Sequence, residues 1–76
     1  MIQIKSVPGG RYIEIKVFDS KTLKDYATIS VRPYRNDTPG TLSICSLEDI
    51  PADYVDEITR ALQEAWRIAK GYLIIS

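Results

Sequence analysis

Cys45 is the only thiol in a chain of 76 residues that contains no histidine. These two counts decide most of the chemistry open to it. Without an imidazole there is no Ser-His or Cys-His nucleophile pair, no histidine general base and no histidine ligand for zinc. A reactive thiol needs a cationic neighbour or a helix N-terminus to lower its pKa. The residues flanking Cys45, Ser43-Ile44 and Ser46-Leu47, bring neither, so it reads as a small filler in a strand. The densest titratable cluster is Glu48, Asp49, Asp53, Asp56 and Glu57. Asp53, Asp56 and Glu57 share a helix face by spacing, and paired carboxylates can move a proton or hold a hard cation. No calcium-loop spacing accompanies them, and dipole compensation with solubility accounts for them. Pro8-Gly9-Gly10 lacks both glycine-rich phosphate-binding patterns and reads as a turn. The chain is expected to be non-catalytic, with no cofactor and no metal.

The elements that would position these residues can be read from apolar periodicity. Ile2 and Ile4 alternate with Gln3 and Lys5. After the Pro-Gly-Gly turn, Ile13, Ile15 and Val17 alternate with Tyr12, Glu14, Lys16 and Phe18, which predicts a β-hairpin. Asp19 to Asp25 is polar and reads as a loop. Tyr26 to Arg32 is a third strand with Ala27, Ile29 and Val31 inward, which Pro33 either ends or places at a sheet edge. Asn36-Asp37-Thr38-Pro39-Gly40 is a turn signal. Thr41 to Leu47 is a fourth strand, with Leu42 and Ile44 toward the core.

From Ala52 to Lys70 the period changes. Val55, Ile58, Leu62, Ala65 and Ala69 form one stripe of an amphipathic helix, widened by Tyr54, Ala61, Trp66 and Ile68. Pro51 suits the first turn, the acidic residues sit near its start, and Arg67 and Lys70 sit near its end. Gly71 is the expected C-terminal cap. Tyr72-Leu73-Ile74-Ile75 is a short apolar run that reads as a possible fifth strand. The expected fold is α+β: an antiparallel four-stranded sheet, with that optional fifth strand, and one amphipathic helix packed on one face, in a single domain spanning residues 1–76.

Composition narrows the class further. Hydrophobic residues make up 45% of the chain and charged residues 26%, which places it among globular domains. The net charge is zero, but residues 1–36 hold seven Lys/Arg against three Asp/Glu and the remainder reverses that ratio. Met1 to Ser6 lacks the basic and apolar regions of a signal peptide, and no apolar run approaches the ~20 residues that span a bilayer. A cytoplasmic setting without membrane contact is expected.

Two surfaces are candidates for binding. The outward sheet face carries Lys5, Tyr12, Lys16, Phe18, Thr28, Ser30, Arg32 and Tyr34. Rings interleaved with cations on an open sheet suit single-stranded RNA, where rings stack on bases and cations follow phosphates. The same pattern also fits an ordinary solvated sheet or a partner contact. The second candidate is Tyr72, Leu73, Ile74 and Ile75, a terminal strand placed to pair across a two-fold axis in a homodimer. A protein-interaction or homo-oligomerising module is the first expectation, and an RNA-binding domain the second.

The segment Ile50-Pro51-Ala52-Asp53-Tyr54-Val55, continuing as a helix to Glu64-Ala65, resembles the helix of domain IV of translation elongation factor G. Ala69-Lys70-Gly71-Tyr72 is similar to the turn after that helix. The resemblance covers roughly residues 10–72. It implies part of that domain's fold and contact with RNA or the ribosome, with Ile50, Pro51 and Tyr54 structural. The family's Gly-Gly before Ile-Pro is Glu48-Asp49 here, its later strands and second helix have no counterpart, and its RNA-contacting loops do not match. No nucleotide hydrolysis and no site residue are therefore implied.

Overall fold

The fold was obtained as a computed structural model that describes residues 1–9, 12–33 and 39–74. Of the residues singled out above, Gly10, Tyr34, Asn36, Asp37, Thr38 and Ile75 lie outside the described residues. Four strands, β1 (Ile2–Pro8), β2 (Ile13–Asp19), β3 (Asp25–Arg32) and β4 (Thr41–Leu47), form one antiparallel sheet in the order β1-β2-β3-β4. Among the described residues one α-helix, α1 (Val55–Ile74), follows a short 3-10 turn at Ala52–Tyr54. The fold is thus the expected α+β arrangement.

Alternation sets the two sheet faces, because directly opposed residues lie on the same side. Ile15 opposes Ile29, Ile13 opposes Val31, and Ile29 and Val31 oppose Ile44 and Leu42. This face receives the helix. Ile15, Val17, Ala27, Ile29 and Val31 are fully buried against Ile58, Ala65 and Ala69 of α1. The two alanines let the helix backbone approach the sheet. Two bulges interrupt the ladder. One makes Tyr26 an extra residue opposite Val17/Phe18, and Tyr26 joins the buried cluster. The other makes Cys45 an extra residue opposite Thr28/Ile29, and Cys45 is exposed.

The β2–β3 connection is a tight turn. The Asp19 N–H donates to the Lys24 carbonyl, and the Leu23 N–H donates to the Asp19 carbonyl. Leu23 takes a left-handed φ of 62°. The Asp19 carboxylate, only 4% exposed as a residue, accepts from the Lys21 N–H at 2.8 Å and the Met1 amine at 3.2 Å. These donors hold its pKa below the usual 3.8: the Lys21 N–H leads, partial burial opposes it, and the amine adds to it.

The C-terminal expectations need correction. Tyr72, Leu73 and Ile74 continue α1 and do not form a fifth strand, and Tyr72 and Leu73 pack partly buried against the core. Gly71 is a helical residue with a negative-φ backbone, not a left-handed cap. Arg67 and Lys70 no longer lie in the last turn. The physical reason is that the helical spacing of Ile58, Ala65, Ala69, Tyr72 and Leu73 carries the apolar stripe one further turn over the sheet.

Two outcomes follow. Gly71→Ala stabilises the domain by about 0.5–1 kcal/mol, since a helical glycine is replaced and nothing lies within 4 Å of the added Cβ. A glycine cap would lose stability on the same change, so the sign of the Tm shift checks the helix. Asp19→Asn lowers the Tm at neutral pH. Because the folded-state pKa is depressed, the carboxylate contributes fully above the unfolded value and loses its contribution as pH falls below 3.8. Melts of both proteins across that range should therefore converge in acid.

Candidate functional site

The outer sheet face is built by strand register. Lys5 on β1 opposes Lys16 on β2, Gln3 opposes Phe18, and Lys16 and Glu14 oppose Thr28 and Ser30 on β3. Thr28 and Ser30 are buried, because β3 is an inner strand with neighbours on both sides. The lysines are engaged locally. Lys16 Nζ lies 3.7 Å from Glu14 and 3.6 Å from Asp25, and Lys5 Nζ lies 4.6 Å above the Phe18 ring. Such a cation caps the ring face that a base would need. Arg32 is exposed and has no carboxylate partner among the described residues. Tyr12 stands just outside β2 and belongs to the turn: a Cβ on Gly9 would come within 3.0 Å of its ring. Of the eight residues expected on this face, Lys5, Lys16, Phe18, Thr28, Ser30 and Arg32 share it.

The other sheet face holds a surface that sequence reasoning missed. The helix packs chiefly on β3 and β2, then on β1, and touches β4 least. Leu42, Ile44 and Leu47 point toward the helix side of the sheet, opposite Val31, Ile29 and Ala27. The helix does not cover them all: Ile44 is 51% exposed and Leu47 57%. On the flank of α1 that looks toward β4, Val55 is 44% exposed and Trp66 38%. Between helix and strand runs an open apolar groove of about 470 Å³ lined by Ile44, Leu62, Gln63 and Trp66.

The lining of this groove is also uncharged. Thr41 to Leu47 contains no ionisable side chain except the Cys45 thiol, and Val55, Thr59, Leu62, Gln63 and Trp66 contain none. The missed signal was the charge-free composition of the fourth strand beside a half-apolar helix flank. Periodicity assigned Ile44 to the core side, which it occupies, but could not say that the helix stops short of it.

Among the described residues no three His, Cys, Asp or Glu side chains gather as a metal site. Asp53, Asp56 and Glu57 lie exposed around the start of the helix. No described helix is long and apolar enough to cross a membrane. Comparison with family models, curated proteins and solved structures finds no significant match.

The engaged lysines set an expectation for the outer face. Single-stranded RNA should bind weakly at low salt, and Glu14→Gln with Asp25→Asn should strengthen binding by releasing Lys16. Fluorescence anisotropy with a labelled oligonucleotide measures both. Tight wild-type binding, abolished by Lys16→Glu with Arg32→Glu, would instead make this the working face.

Proposed function

We propose that the chain is a non-catalytic protein-interaction module whose working surface is the groove and apolar rim between α1 and β4. The supporting observation is an uncharged groove lined by Ile44, Leu62, Gln63 and Trp66, in which the large side chains of Ile44 and Trp66 are half-exposed, with exposed Leu47 on the same strand and Val55 on the same helix. Large apolar side chains grouped at one place on a small domain mark an interaction surface, whereas single exposed ones are ordinary. The same surface sits beside the free edge of β4, so a partner can add backbone hydrogen bonds to apolar contact.

An RNA- or ribosome-associated role through the outer face stands second. Exposed Arg32 favours it, and the ion pairs of Lys16 and the seat of Lys5 over Phe18 weigh against it.

The test uses an anionic naphthalene dye that fluoresces on apolar surfaces. The dilute wild-type chain should enhance its emission, and Ile44→Ser with Trp66→Ser should remove most of that enhancement. The Tm should fall while the fold is retained, because Trp66 and Ile44 are each partly buried and lose apolar contact on replacement. Equal emission from both proteins, at matched folded fraction by circular dichroism, would remove the groove as a binding surface.

A further inference from the structure

The two edges of the sheet are built differently. Strand β1 carries Lys5 within it and ends at Pro8, both devices that discourage pairing with another strand. Strand β4 is seven residues long, with no lysine, no proline and no charged side chain. Its bulge at Cys45 leaves Thr41 to Ile44 as a regular run. An edge of this kind is a template for another strand.

We infer, resting on the proposed interaction surface, that the occupant of this edge is a second copy of the chain, paired β4 to β4 antiparallel about a two-fold axis. A two-fold contact sets each patch against itself, so any charge near the axis would meet its own like charge. The uncharged composition from Thr41 to Leu47 and of the groove's helical lining, Leu62, Gln63 and Trp66, meets that requirement in a chain that is 26% charged.

The pairing has one preferred register. Opposed residues must share a face, and Leu42 and Ile44 both point to the helix side. With Ser43 facing the partner's Ser43, Leu42 meets the partner's Ile44 and Ile44 meets the partner's Leu42. Shifting by two residues either way would set Leu42 against itself with Ile44 opposite the partner's Gly40, or set Ile44 against itself with Leu42 opposite the partner's Ser46. Each alternative pairs fewer apolar side chains. The preferred register makes an eight-stranded sheet with both helices on one side. The two grooves then face each other across the axis, over a floor of Leu42 and Ile44 from both copies and between walls that include Trp66.

The experiment is a charge swap at the axis. Wild type should sediment at twice the 8.6 kDa chain mass at about 100 µM, a concentration suited to a modest interface. Ser43→Lys and Ser43→Glu, each alone, should sediment as monomers. Their equimolar mixture should return to dimer mass, which also establishes that each variant is folded. A monomeric wild type would overturn the second-copy inference, while persistent dye binding lost on changing Ile44 and Trp66 would leave the proposed surface standing. A dimer retained by both single variants would overturn the β4 pairing, as would two monomeric variants that fail to associate when mixed.

Discussion

One helix is too narrow for four strands. An α-helix with its side chains is about 10–12 Å across, and neighbouring strands are about 4.8 Å apart, so three strands span about 10 Å and four about 14 Å. Helix α1 settles over β2 and β3 and reaches β1, and the inner face of β4 is left at its margin. Burial follows that width. Ile15, Val17, Ile29 and Val31 are fully enclosed, Leu42 is half-enclosed, and Ile44 and Leu47 are largely open. The fully buried Ala65 and Ala69 hold the helix close to the inner strands. Larger residues there would lift it from the sheet.

The strands, and the faces of their residues between the bulges, were legible in the sequence, because period-two alternation carries both. The width of the helical cover was not, since no local pattern records which strands a distant helix will reach. The bulges at Tyr26 and Cys45 were equally silent. Each adds one residue to a strand whose composition looks regular, and Tyr26 enters the core only through that extra residue. At the C-terminus two local signals conflicted. The apolar, β-branched run from Tyr72 resembled a strand, while the spacing from Ala69 to Tyr72 and Leu73 continued the helical stripe. Packing on the sheet resolves the conflict in favour of the helix, with Gly71 on its exposed side. On the outer face, alternation placed Lys16 correctly but could not foresee that β3 would bring Asp25 within ion-pair distance of it.

The charge asymmetry between the halves of the chain does not act across the fold among the described ion pairs. Lys16 pairs with Glu14 and Asp25, the Met1 amine with Asp19, and Arg67 with Glu64, each within its own half. Apart from the buried Asp19 carboxylate, the partners are part-exposed or exposed, where individual pairs contribute about 0–1 kcal/mol. Cohesion between helix and sheet therefore rests on apolar burial.

That dependence gives the uncovered β4 face its energetic meaning. A chain of 76 residues is near the size at which one core suffices. Each apolar side chain left in water forgoes about 25 cal/mol for every Å² not buried. Ile44, Leu47, Val55 and Trp66 together are a substantial omission beside the five aliphatic side chains that are fully buried among the described residues. Covering them adds burial without adding chain, and whatever binds the folded state but not the unfolded one stabilises it by mass action. Under the proposed association, the strand that the helix cannot reach is thus the place where binding would also add stability.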